Sequence, residues 1–135
     1  MNDRNTVIES LKEAVQEFAR ERDWGMFHSP KNLAMGLAIE SSELMEHFLW
    51  KTPEESEKPD DAEAVAGELA DVFIFTLNLA SRLGIDLASC TRKKLEENAL
   101  KYPADLARGK ALKHTHYRRE SDVPAAREDN KDQPI

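Results

Sequence analysis

Apolar residues recur at helical spacing in four stretches of the chain, and each stretch opens on a residue suited to starting a helix. Thr6 with Glu9 three positions on has the form of a capping box, and Val7, Leu11, Ala14, Val15 and Phe18 follow on one face, predicting a helix over about 6–22. Ser29 followed by Pro30 opens a second helix that carries Leu33, Leu37, Leu44 and Phe48 and runs to about Trp50. Between Lys51 and Asp61 the composition turns to Pro, Glu, Ser, Lys and Asp, which reads as a solvated connection. Asp60 and Glu63 form a second capping-box signature for a third helix, ending near Leu83 because Gly84 can take the left-handed conformation of a C-cap. Asp86 restarts the chain as a fourth helix, which Pro103 ends. No stretch alternates apolar and polar residues long enough to demand a strand. The pattern predicts an all-α fold, a four-helix bundle with antiparallel neighbours joined by short connections.

Length places this organisation in one domain, since 135 residues suffice for one core and not for two. The boundaries expected are a helical domain over 1–110 and a polar tail over 111–135, flexible or packed on a neighbour. A basic cluster, Lys110, Lys113, His114, His116, Arg118 and Arg119, straddles this boundary and is of the kind usual in solvated segments. A net charge of −7 leaves no general attraction for phosphate backbones, so no nucleic-acid partner is expected. The single cysteine, Cys90, excludes an intrachain disulfide and reads as a packed, inert thiol. With no signal-like N-terminus and no uninterrupted apolar run of roughly 18 residues, the expectation is a soluble cytoplasmic protein with no membrane partner.

The third helix contains the oddest juxtaposition. Glu68 and Asp71 project from nearly the same side of it, as Glu40 and Glu43 do on the second helix. From Ala70 to Ala80, however, apolar residues cover every direction around the axis, which normally means enclosure by protein. An ionised carboxylate in such surroundings requires a compensating cation. No basic residue follows on that helix before Arg82, so a metal ion is the better compensator. If the two helices pack antiparallel, the two acidic pairs meet across the seam. Four hard oxygen donors suit Mg2+, or Mn2+, with water and phosphate oxygens filling the remaining positions. Zinc would want histidine or cysteine, and a ferritin-like di-iron site would want Glu-x-x-His pairs, whereas Glu43 and His47 are four apart and have no second copy.

The order Glu40-x-x-Glu43, connection, Glu68-x-x-Asp71 resembles the metal-binding signature of the MazG-like all-α nucleoside triphosphate pyrophosphohydrolases. The resemblance is nearest to their dCTP pyrophosphatase branch. It runs through "ERDWGMFHSPKNLAMGLAIESSELMEHFLWK", "ELADV" and "KKLEENALKYP", and covers about Phe18 to Lys110. It implies that Glu40, Glu43, Glu68 and Asp71 hold Mg2+, and that one of them, not assigned, activates water. It further implies that Trp24, His28 and Trp50 form the base pocket and that Lys94, Asn98, Lys101 and Tyr102 address sugar or phosphates. Tryptophan faces can sandwich a base, and lysine can neutralise phosphate. Two positions depart from the branch: His47 stands where an apolar residue is usual, and Lys101 where an arginine is common, which loses the planar fork of a bidentate phosphate grip.

The expected activity is hydrolysis of a nucleoside triphosphate, dCTP or a modified dCTP, to monophosphate and pyrophosphate, in control or cleaning of the nucleotide pool. Three alternatives keep the scaffold: broad specificity, preference for dUTP, or a non-enzymatic metal-binding helical protein. A third helix apolar all round also predicts burial against another copy, as a homodimer or homotetramer.

Overall fold

Pro30 at the first helical position and Ser29 before it start the helix that fixes most of the architecture. The computed structural model describes residues 1–117. Its α-helices are α1 (Ile8–Glu21), α2 (Pro30–Glu46), α3 (Pro53–Ser56), α4 (Ala62–Leu83), α5 (Leu87–Lys101) and α6 (Ala104–Ala107), with 3-10 turns at Trp24–Met26 and His114–Tyr117. The described residues contain no strand, and the four long helices are those the periodicity predicts.

The ends of the elements differ from expectation for identifiable reasons. Thr6 does not cap α1, because its hydroxyl accepts from the Asn2 amide at 3.0 Å and Val7 takes the N-cap without a side-chain bond. Ser29 caps α2 as expected, accepting from Asn32 N. That helix stops at Glu46, short of Trp50, where the bonds tighten to i→i−3, Phe48 N to Met45 O and Leu49 N to Glu46 O. The connection after it holds a capping box that the sequence reading passed over. Thr52 Oγ1 accepts from Glu55 N while the Glu55 carboxylate accepts from Thr52 N at 2.8 Å, opening the single turn of α3. Asp61, not Asp60, caps α4 by accepting from Ala64 N at 2.9 Å. Asp60 is drawn away by the Lys51 ammonium, 2.6 Å from its carboxylate. Gly84 closes α4 at φ 65°, a conformation that costs glycine nothing.

The chain divides into two units, residues 1–90 and the residues from Thr91 onward. In the first, α2 and α4 form the principal helix pair and α1 packs on α4. Its core is small: Leu33 and Leu77, 2% and 1% exposed, with Ala19 and Ala80. Fully burying each leucine contributes roughly 1.5–3 kcal/mol. Lys12 Nζ donates to Ile85 O at 3.0 Å, tying α1 to the turn after α4, and Asp86 accepts from Ser89 N at 2.7 Å to start α5. In the second unit Tyr117 is buried; its hydroxyl donates to Lys110 O and accepts from Leu112 N. Tyr102 meets both His114 and Tyr117 edge-on. Arg118, Arg119 and the rest of the expected tail lie outside the described residues.

One expectation is corrected: Cys90 is exposed, its Sγ donating to Leu87 O at 3.3 Å, so it is not a packed thiol. Among the described residues of one chain α4 is covered only in part: Leu77 and Ala80 on it are buried, while Leu69 and Phe73 remain 56% and 43% exposed. By length and a mean hydropathy of 1.4 this helix could cross a membrane, although it lacks a long uninterrupted apolar run. Its Glu68 and Asp71 argue for a different role, since a carboxylate at the centre of a spanning helix costs roughly 2.5–3.5 kcal/mol.

Candidate metal and nucleotide site

The α2–α4 pair is antiparallel, and the close approaches along it show the register. Gly36 on α2 faces Phe75 on α4, and one turn along the seam Glu40 faces Asp71 and Glu68. Residue numbers thus rise on one helix as they fall on the other. At 3.6 residues per turn this sets Glu40, Gly36 and Leu33 on one stripe of α2, against Glu68, Asp71, Phe75 and Asn78 on one stripe of α4.

Carboxylate oxygens of Glu40, Glu68 and Asp71 lie within 4.8 Å of one another. Among the described residues no lysine, arginine or histidine makes an ion pair with any of them. The cluster is less enclosed than the sequence implies, with Glu40 and Glu68 half-buried and Asp71 exposed, because the apolar run after Asp71 is itself only partly covered. Desolvation nevertheless raises the Glu40 pKa above the usual carboxylate value, and the charges of Glu43, Asp71 and Glu68 push it the same way. Glu43, grouped with these three by the sequence, is exposed and outside the trio; it lines an adjoining hollow with Glu46, His47 and Glu68. Three unneutralised carboxylate oxygens at this spacing fit a hard divalent cation that keeps positions free for water or phosphate.

The remaining residues implied by the resemblance fall in both units. Trp24 packs edge-on between Phe18 and His28, at ring separations of 5.8 and 6.1 Å. Trp50, 91% exposed, is not a core anchor. His28 lines a cleft of about 420 Å3 at the other end of the seam from the carboxylates, with Gln16, Leu33, Asn78, Ser81 and Arg82 around it. Gln16, Asn78 and Ser81 line this cleft without standing out in the sequence, where they show only as polar positions. In the second unit Lys94 is exposed and pairs loosely with Glu97 at 3.5 Å, Asn98 is half-buried, and Lys101 and Tyr102 are exposed at the end of α5.

Residues 36–115 match the family described as MazG-like. The chain is 39% identical over 113 residues to dCTP pyrophosphatase 1 of Bos taurus, covering 81% of this chain and 67% of that protein. It is 40% identical to dCTP pyrophosphatase 1 of Homo sapiens, covering 81% of this chain and 66% of that one, so it spans about two thirds of these relatives' length. Among solved structures it is similar to a pyrophosphatase from Archaeoglobus fulgidus, with a TM-score of 0.68 and 33% identity over 76% of this chain and 98% of that one. An all-helical scaffold with an acidic seam and relatives of this kind defines a nucleoside triphosphate diphosphatase. The chain belongs to the MazG-like family.

Proposed function

We propose that the protein hydrolyses dCTP or a modified dCTP to the monophosphate and pyrophosphate, with Mg2+ as its cofactor, in pool control or house-cleaning. The observation that carries this is the trio Glu40, Glu68 and Asp71, with oxygens within 4.8 Å and no ion pair to any of them among the described residues. Those three would hold Mg2+, with Mn2+ as a substitute. When bound, the ion supplies neutralising charge to the triphosphate oxygens. Glu43, outside the trio, is left to orient the attacking water and accept its proton as the α–β phosphoanhydride bond breaks. Trp24, His28 and Trp50 address the base, and Lys94, Asn98, Lys101 and Tyr102 the sugar and phosphates, as the family resemblance implies. The names of the mammalian relatives support cytosine as the base.

The half-exposed apolar side chains of α4 support a homo-oligomer, dimer or tetramer, in which a second copy covers Leu69 and Phe73. The same reading makes the protein a soluble cytoplasmic enzyme with no nucleic-acid or membrane partner. The test is a panel of canonical and modified triphosphates with Mg2+, scoring monophosphate and pyrophosphate. dCTP or a modified dCTP should turn over best. Preference for dUTP or no preference would replace the base assignment, and release of orthophosphate alone, or no turnover, would overturn the reaction.

A further inference from the structure

The two tyrosines of the chain, Tyr102 and Tyr117, stand edge-on at 5.9 Å and use their hydroxyls in opposite ways. Tyr117 is the one buried residue among the described residues of the second unit, and its hydroxyl is committed to backbone, accepting from Leu112 N at 3.0 Å and donating to Lys110 O at 3.2 Å. Tyr102 is 42% exposed, and its hydroxyl makes no hydrogen bond among the described residues. One phenol is spent on holding the chain, and the other is left open.

The local chain path explains how the two meet. Tyr102 N donates to Asn98 O at 2.8 Å at the end of α5, and Pro103, which has no donor, stops the helix. An exposed tyrosine at such an end samples several rotamers unless something packs on its ring. After α6, Gly109 at φ 71° turns the chain, and Lys110 N donates to Ala107 O at 3.0 Å. Residues 110–117 then return to the end of α5, where His114 and Tyr117 both meet the Tyr102 ring edge-on. The paired bonds to the Tyr117 hydroxyl close that return as a loop, so its ring cannot drift without breaking both.

The open side of Tyr102 also lies in the part of the protein suited to an anion. Over residues 91–117 seven lysines and arginines stand against three carboxylates, in a chain whose net charge is −7, so this segment is where a triphosphate is drawn.

We infer that Tyr117 is a positioning residue for substrate binding: clamped to the backbone of Lys110 and Leu112, it holds the Tyr102 ring so that the Tyr102 hydroxyl faces the sugar or phosphates of the nucleotide. This rests on the nucleotide reading above, which gives Tyr102 its contact, and adds a residue that touches no substrate itself.

The test uses the full chain with 13C in its tyrosine rings. Two sets of ring signals result, assigned with Tyr102→Leu and Tyr117→Leu. On titration with Mg2+ and α,β-imido-dCTP, which resists hydrolysis, the Tyr102 signals should shift and those of Tyr117 should stay nearly fixed. Kinetics on the triphosphate that turns over best should show a split: Tyr117→Leu should raise KM about tenfold with kcat nearly unchanged, and Tyr117→Phe, which keeps the ring and loses the clamp, should raise it about threefold. If Tyr117→Leu does not fold, the comparison rests on Tyr117→Phe. Tyr102→Leu should raise KM at least as far as Tyr117→Leu, and adding Tyr117→Leu to it should raise KM no further, because Tyr117 acts only through Tyr102. A lower melting temperature with wild-type KM in the Tyr117 variants would make Tyr117 a core residue only and overturn the inference. So would KM effects that add in the double variant. Wild-type KM in Tyr102→Leu would remove Tyr102 from the substrate and overturn the inference, while leaving the reaction intact. Absence of turnover of any triphosphate would overturn the reaction, and the ring signals then decide the positioning alone: a Tyr102 shift with the analogue that is lost in Tyr117→Phe upholds it, and any other result overturns it.

Discussion

Gly36 lies directly against the ring of Phe75: a Cβ built on the glycine would stand 2.7 Å from Phe75 Cζ and 2.8 Å from Cδ1, closer still to Cε1. No real methyl tolerates that approach, so the glycine sets how near α2 and α4 come. Glu40 follows one turn later on α2, and Asp71 precedes Phe75 by one turn on α4. The spacing of the carboxylates is therefore set partly by a contact that involves no charge.

Gly36→Ala should separate the helices. The alanine gains about 1 kcal/mol of helix propensity, but overpacking costs roughly 1–3 kcal/mol, and the net should be a lower melting temperature. Mg2+ affinity by calorimetry should fall with it. Gly36→Ala combined with Phe75→Leu should recover both; a double variant no better than the single would show that the ring is not the obstacle.

Glu68→Gln and Glu43→Gln should fail in different ways. Glu68 belongs to the close trio and Glu43 does not, so the first change should abolish most Mg2+ binding and turnover together. The second should keep most of the Mg2+ affinity while reducing kcat by about 100-fold, as expected for loss of a general base. Equal loss of Mg2+ binding in both variants would restore Glu43 as a ligand.

Mg2+ should raise the melting temperature of wild-type protein near neutral pH by relieving repulsion among Glu40, Glu68 and Asp71. At 100 times the Kd the gain is about 2.7 kcal/mol. EDTA should reverse it, and Asp71→Asn should show little of it. A wild-type melting curve indifferent to millimolar Mg2+ would contradict the assignment of a metal site.

Asp86 links stability to acid. Hydrogen bonds from Ser89 hold its carboxyl below the usual aspartate value, with Lys12 assisting. A depressed folded-state pKa gives stability that is present above the unfolded value and is lost as pH falls through the folded one. Asp86→Ala should therefore lower the melting temperature at pH 7, and the gap from wild type should close as pH falls below the usual aspartate range. A gap that persists at low pH would place its origin elsewhere.

Much of this was legible in the sequence because it depends on spacing. The four long helices and the Ser29 and Gly84 caps follow from period and punctuation, and of the four carboxylates that the sequence groups, Glu40, Glu68 and Asp71 lie together while Glu43 lies outside. What was not legible depends on competition between neighbours. Asp60 and Asp61 are equally good caps on paper, and only the reach of Lys51 decides between them. Thr6 likewise loses its capping role to Asn2. Enclosure of α4 was inferred from composition, whereas the packing of one chain covers only part of it.

The antiparallel register of α2 and α4 has a consequence for how such a chain can change length. Deleting one residue between Gly36 and Glu40 would rotate every later side chain on α2 by about 100°, and no adjustment elsewhere could return Glu40 to Asp71 and Glu68. The connection around α3 carries no such constraint, since doubling a loop's length costs only about 0.6 kcal/mol. Natural insertions, and grafted peptides, should be tolerated between Glu57 and Asp60 and be absent from the two helices on either side.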